Sequence, residues 1–178
     1  TSHLGLPVIV KPNQGGSGLG VSLARDADQL RNAMVSCFAY DERALIEQYI
    51  VGTEVAISVI DAGDGPRALP PVEVVSEGQY DFDARYNPGR SEYFVPARLS
   101  SELVERVQDT AVTVHQTLGL GNLSRTDLIL DDDGTPWFID VNVVPGMTET
   151  SLLPLAADVA GDLPGLYNTL VHHPFVRP

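Results

Sequence analysis

The stretch that decides the reading is residues 123–152, Leu123-Ser124-Arg125-Thr126-Asp127-Leu128-Ile129-Leu130-Asp131-Asp132-Asp133-Gly134-Thr135-Pro136-Trp137-Phe138-Ile139-Asp140-Val141-Asn142-Val143-Val144-Pro145-Gly146-Met147-Thr148-Glu149-Thr150-Ser151-Leu152. Two apolar runs flank Asp133-Gly134, a dipeptide that favours the tight turn of a β-hairpin. Side chains alternate across a strand, so Arg125, Asp127 and Ile129 share one face of the first run. On the second run Asp140 and Asn142 share a face, opposite that of Ile139 and Val141. A hairpin closing around residues 133–134 brings Asp127 to face Asp140 and Asn142. Two carboxylates and an amide oxygen, without cysteine or histidine, form a hard-oxygen set that suits Mg²⁺ (or Mn²⁺) far better than zinc. Arg125 adds a cation aimed at the same point, and the loop beyond leads to Thr150-Ser151, a cap for the next helix. The stretch reads as a floor for a metal ion and phosphate.

Outward from this floor, residues 7–11 form a buried strand ending at Lys11-Pro12. Asn13-Gln14-Gly15-Gly16-Ser17-Gly18-Leu19-Gly20 comes next, then a short strand, Val21-Ser22-Leu23. Glycines let backbone N–H groups approach phosphate oxygens, and a lysine adds a point charge, so the segment can serve as a flap over a triphosphate. The lysine precedes the glycines and no helix comes at once, which excludes a P-loop. A glycine-rich hairpin without ligand fits this segment equally well.

A helix is expected from Asp26 to Tyr40, with Leu30, Ala33, Met34, Cys37 and Phe38 on its core face. Strands are expected at 44–49, 54–60 and 72–75. Glu47 and Glu54 lie in or beside apolar strand sequence, where a carboxylate is costly without a donor partner. Residues 78–98 are polar, aromatic and too long for a plain connection, as in a lid or binding loop. Ser100 caps a helix running to Leu118 with Leu103, Val107, Ala111, Val114 and Leu118 inward, and Gly119 and Gly121 end it. Two short helices, 152–160 and roughly 163–171, close the chain. His115 suits a partly exposed or packed position rather than a catalytic one, and His172-His173 suits a terminus rather than a metal site.

With 178 residues, 43% of them apolar, the chain supports one large domain or two lobes. A formal net charge of −13 argues against nucleic-acid binding. The single cysteine, Cys37, fits a reducing cytoplasm. Neither a membrane span nor a signal peptide is apparent. A core strand begins almost at once, as in a piece of a longer enzyme.

These segments, in this order, resemble the ATP-grasp enzymes, most closely the D-alanine–D-alanine ligases. The carriers are Val8-Ile9-Val10-Lys11-Pro12, Gly16-Ser17-Gly18-Leu19-Gly20-Val21-Ser22, Leu45-Ile46-Glu47-Gln48-Tyr49-Ile50-Val51-Gly52-Thr53-Glu54, Tyr80-Asp81-Phe82-Asp83-Ala84-Arg85-Tyr86, Pro96-Ala97, Leu123-Ser124-Arg125-Thr126-Asp127 and Asp140-Val141-Asn142-Val143-Val144-Pro145-Gly146-Met147-Thr148. The likeness spans nearly the whole chain but only the central and C-terminal domains of such an enzyme. It implies an α+β fold of two lobes with nucleotide between antiparallel sheets. Residues 1–52 would form the small lobe with its flap. Residues 53–178 would form the large one with the 78–98 lid and the 123–145 hairpin, and an N-terminal substrate domain would be absent.

The resemblance implies that ATP phosphorylates the carboxylate of one D-alanine and that the amine of a second attacks the acylphosphate, making a cell-wall precursor. Lys11 and Arg85 would hold ATP phosphates. Backbone groups of Gln48 and Ile50, with Glu47 and Tyr49 beside them, would meet the adenine, and Glu54 the ribose. Asp127, Asp140 and Asn142 would hold Mg²⁺ (or Mn²⁺) against the phosphates. Arg125 and the Gly146 N–H would stabilise the oxyanion, with Ser17 facing the reaction centre and Tyr86 covering the substrate from the lid loop. Ser151 and Leu152 would bind the second substrate's carboxylate at a helix start. A homodimer is the expectation for the full-length form.

The chain departs from the family pattern at Arg85, where the family usually has lysine, and at Asp140, where it usually has glutamate. Aspartate reaches one methylene less, which leaves a one-metal site open. Three rival readings stand beside this one: a ligase of another amino-acid pair, a non-catalytic nucleotide-binding module, and a structural protein with no ligand.

Overall fold

The computed structural model describes residues 4–76 and 91–172. The chain divides into two compact units, Thr1–Ile50 with Ser76–Glu92, and Val51–Val75 with Tyr93–Pro178.

In the first unit β1 (Val8–Pro12) lies between β2 (Ser22–Ala24) and β3 (Ala44–Gln48) in an antiparallel sheet. Val8 and Val10 point to one face and are buried with Ala24, and with Ala33 and Cys37 of helix α1 (Ala27–Cys37). The intervening residues Ile9 and Lys11 take the other face, as the two-residue strand period requires. Asp26 caps α1 by accepting from the Gln29 N–H at 2.8 Å. Leu30, Met34, Ala44 and Ile46 pack on this cluster. Phe38, expected inside, is half exposed instead, because the helix ends one residue before it. The glycine-rich segment is anchored at its base: Asn13 N–H donates to the Arg43 carbonyl at 3.0 Å and Gln14 N–H to Asp41 Oδ2 at 2.6 Å. Backbone N–H groups of Arg43 and Gln14 hold the Asp41 carboxyl below its usual range. Gly20 has φ +75°, and a Cβ there would come within 2.7 Å of Tyr40 and 2.8 Å of Pro12, so only glycine fits.

The second unit is built on a six-stranded sheet in the order β7 (Ser91–Phe94), β6 (Val72–Ser76), β4 (Thr53–Ile60), β8 (Leu123–Leu130), β9 (Pro136–Asn142), with β5 (Arg67–Ala68) also on β4. β4 and β8 pair antiparallel over their full eight residues. Val55, Ile57, Val59, Leu128 and Leu130 form one buried face, against which helix α2 (Ser101–Thr117) sets Val107 and Ala111. The inward stripe of α2 continues to His115, while Leu118, expected inside, is exposed. Its i, i+4 spacing keeps 107, 111 and 115 on one line. Residues 61–71, rich in glycine and proline, and the described end of the 78–98 stretch each hold a short strand, β5 and β7, that periodicity over so few residues does not reveal. Arg98 grips the buried Glu73 through Nε at 3.0 Å and Nη2 at 2.6 Å, and its guanidinium lies 3.5 Å over the Phe94 ring, fastening β7 to β6. Helices α3 (Leu152–Val159) and α4 (Leu163–His172) complete the unit, and Arg67 pairs with Asp162 at their junction.

His115 donates or accepts at Nδ1 to Ser124 Oγ, 2.8 Å away in the core. Burial pushes the imidazole below its usual range, against the opposing pull of Asp61. Below about pH 6.5 the unfolded chain therefore takes a proton that the folded chain resists, so stability is full above that value and falls as pH drops through it. Urea midpoints at pH 7.5 and 5.5 are expected to show this loss, and His115→Gln is expected to flatten the difference.

Candidate active site

β8 and β9 pair with Asp127 opposite Asp140 and Arg125 opposite Asn142. Directly opposed residues share a face, and their Cβ atoms lie about 4.5–5.5 Å apart. On the other side of β8, Arg125 is opposite Ser58, Asp127 opposite Ala56 and Ile129 opposite Glu54. One sheet face thus carries Glu54, Ser58, Arg125, Asp127, Asp140 and Asn142. It is the face away from the Val55, Ile57 and Val59 core.

The hairpin reaches this register by a route the sequence did not indicate. The turn is not a two-residue Asp133-Gly134 loop. Asp131 N–H donates to the Thr135 carbonyl at 3.2 Å and Gly134 N–H to the Asp131 carbonyl at 2.9 Å, giving a three-residue loop with Gly134 at φ +74°. The Asp131 carboxylate fixes it, accepting from Thr135 N–H at 2.8 Å, Asp133 N–H at 3.0 Å and Trp137 Nε1 at 2.8 Å. Those donors hold its carboxyl below the usual range. A loop one residue longer would shift Asp127 off Asp140. A bulge next to Asp127 and Leu128, with Ile139 as the extra residue, restores the pairing.

Arg125 and Asp127 form a bidentate pair, Nε to Oδ1 at 2.7 Å and Nη2 to Oδ2 at 2.9 Å. Their side chains are only 9% and 8% exposed. Planar guanidinium and carboxylate match in this fork–fork contact, which is stronger than a neutral hydrogen bond. Asp140 is exposed, its Oδ1 accepting from Val141 N–H at 2.9 Å, and Asn142 Oδ1 accepts from Val144 N–H at 3.0 Å. Among the described residues no three of His, Cys, Asp and Glu gather as a metal-binding group. The set here is two carboxylates with one amide oxygen, chemically suited to a hard cation.

Ser151 stands at the N-cap of α3, yet its hydroxyl does not cap the helix. It turns to Thr148 instead, accepting from the Thr148 N–H at 3.2 Å and lying 2.8 Å from its Oγ1. The first N–H groups of α3, those of Leu152 and Leu153, thus receive no cap from it, and Pro154 has none to offer. A Cβ on Gly146 would stand 2.6 Å from Ser151 Oγ, so the 146–151 loop closes tightly on itself.

In the first unit Lys11 and Glu47, expected to serve phosphate and adenine separately, are joined by an ion pair at 2.7 Å on the sheet face away from α1. Gln48 ends β3, and Tyr49 N–H donates to the Pro7 carbonyl at 3.3 Å, with Ile50 next along the chain. Ser17 has φ +59°, a left-handed conformation that costs a non-glycine residue about 1–2 kcal/mol. Arg85 and Tyr86 lie outside the described residues. Two neighbours of the site were not found from the sequence. Ser58 faces Arg125 only through the β4–β8 register, and Thr148 engages Ser151 only through the fold of its loop.

Residues 1–173 match the family model described as D-ala D-ala ligase C-terminus. The chain belongs to the D-alanine–D-alanine ligase family. The D-alanine–D-alanine ligase of Halalkalibacterium halodurans is 45% identical over 157 residues, covering 87% of this chain and 52% of that protein. The crystal structure of the Bacillus anthracis D-alanine–D-alanine ligase superposes with a TM-score of 0.80 at 34% identity, over 94% of this chain and 54% of that one. The same enzyme complexed with ATP gives 0.76 at 32% identity, over 95% and 53%. The chain thus spans about half the length of the relatives it matches. Its antiparallel sheets with packed helices are the α+β architecture of the ATP-grasp family members.

Proposed function

We propose that this chain is the ATP-handling part of an ATP-dependent carboxylate–amine ligase of the D-alanine–D-alanine type. The observation that supports this most directly is the shared sheet face of Arg125, Asp127, Asp140 and Asn142 in a family whose members are named for that reaction. In this reading the carboxylate of one D-alanine takes the γ-phosphoryl group, and the amine of a second displaces phosphate to form the C–N bond. Asp127, Asp140 and Asn142 would hold Mg²⁺ (or Mn²⁺), which supplies positive charge against phosphate oxygens. The Arg125 guanidinium, paired with Asp127, is assigned to an oxyanion together with the Gly146 N–H. Lys11 and Glu47, with the backbone after Gln48, are assigned to nucleotide, Glu54 to ribose hydroxyls, and Ser17 to the reaction centre. Arg85 and Tyr86 are assigned to phosphate and substrate. The uncapped start of α3, at Ser151 and Leu152, is assigned to the second substrate's carboxylate.

No helix among the described residues is long and apolar enough to cross a membrane, and a cytoplasmic site of action is part of the proposal. The test is ADP release by the intact protein with Mg-ATP and D-alanine. Release that requires D-alanine supports the reading. Release only with a different amino-acid pair would reassign the substrate, and tight Mg-ATP binding without ADP release for any amino acid would leave a nucleotide-binding module.

A further inference from the structure

Asp127 is asked to serve a metal ion, yet in this structure both of its oxygens are held by Arg125, in a pair that is more than nine-tenths buried. The two residues stand two positions apart on one strand, β8, so no rearrangement of the fold separates or joins them. Asp140 is opposite Asp127 and exposed, and its Oδ1 accepts from the N–H of the next residue, Val141. Buried carboxylates are costly without a cation, and a guanidinium fork meets that need as a metal ion would.

We propose that Arg125 acts as a resident counter-cation that competes with the divalent ion for Asp127. Metal binding then requires the fork to give up at least one carboxylate oxygen. The fork occupies only two of the five N–H groups of Arg125, and the one it gives up becomes available to an anion once the metal is in place. This rests on the metal assignment made above and adds to it an order of events: loading the site releases one guanidinium N–H toward an oxyanion while the remaining Asp127 oxygen keeps Arg125 aimed. No bond is made or broken; two cations exchange at one carboxylate.

Competition differs from simple repulsion between like charges in what a lysine does. Arg125→Lys keeps the charge but loses the planar fork, so it can hold only one oxygen at a time. The intact protein is titrated with Mn²⁺ without nucleotide, following the free-ion signal by electron spin resonance. Mn²⁺ binding is expected to tighten about 10-fold in Arg125→Gln and severalfold in Arg125→Lys, relative to the unchanged protein. The melting temperature without metal is expected to fall in both variants and to be restored by Mn²⁺ by a larger shift than in the unchanged protein. That restoration also shows that the variants fold. In the unchanged protein, added Mg²⁺ is expected to move the Arg125 Nε–H resonance.

Tightening in Arg125→Gln but not in Arg125→Lys would mean repulsion alone and would overturn the exchange. So would equal or weaker Mn²⁺ binding in both variants, with the unchanged protein still binding. If the unchanged protein binds no Mn²⁺ at all, the metal assignment falls and the exchange falls with it.

Discussion

Asp127→Ala is expected to abolish metal-dependent nucleotide binding and to lower D-alanine-dependent ADP release by the intact protein at least 10³-fold. Two losses add. The first is the carboxylate proposed to carry the ion, and charge stabilisation of this kind is worth several kcal/mol in the transition state. The second is the partner that aims Arg125: removing one donor from an oxyanion site typically costs about 10²–10³ in rate. The same change leaves the buried Arg125 without this carboxylate, and breaking such a pair costs about 3–5 kcal/mol of stability. Asp127→Asn separates the effects, because it keeps the shape and one acceptor oxygen while removing the charge. Calorimetric titration with Mg-ATP, set beside a melting curve, measures both. Nucleotide affinity in Asp127→Ala that still depends on metal would remove Asp127 from the metal site.

Gly52→Ala is expected to be the most damaging single change of backbone fit. Gly52 sits one residue before Thr53, which pairs with Leu130 at the end of β8. A Cβ at Gly52 would collide with the Leu130 carbonyl oxygen and come within 2.7 Å of its carbon and 2.9 Å of Ile129 Cγ2. These are mostly backbone atoms, which cannot swing aside as a flexible side-chain end can. The cost is therefore expected at the upper end of overpacking, about 3 kcal/mol, which for a chain of this size lowers the melting midpoint by roughly 6–12 °C. A shift of β8 at Leu130 also disturbs Asp127 three residues along the strand, so Mg-ATP affinity should fall as well. Gly16→Ala, where a Cβ meets nothing within 4 Å, serves as the control, with an expected stability change within about 0.5 kcal/mol. Equal melting curves for the two variants would show that the β4–β8 end relaxes around the added methyl group.

Much of this site was legible because its chemistry is written in strand periodicity. Arg125 and Asp127 stand two residues apart on one strand and Asp140 and Asn142 two apart on the next, so each pair's common face follows from a two-residue period alone. Helix limits were legible where side chains cap them, as Asp26 and Ser100 do. Phe38 and Leu118 were misplaced for one reason. Apolar spacing carries the helical face on to Phe38 and Leu118, whereas each helix ends one residue earlier and leaves them at the C-cap. His115 took an inward position because the helix line continued through it and Ser124 stood ready as a hydrogen-bond partner.

By itself, then, the sequence determined the donors, their strands and the faces they share, since these are local consequences of alternation and turn chemistry. The tertiary structure decided the pairing. A loop one residue longer than Asp133-Gly134 suggests is offset by a bulge at Ile139, and neither is visible in composition. It also decided which charges meet. Lys11 joins Glu47 because strand pairing sets both on one sheet face, and Arg125 takes both oxygens of Asp127 because burial in a packed sheet leaves a charge no water to turn to and makes its nearest counter-ion its partner.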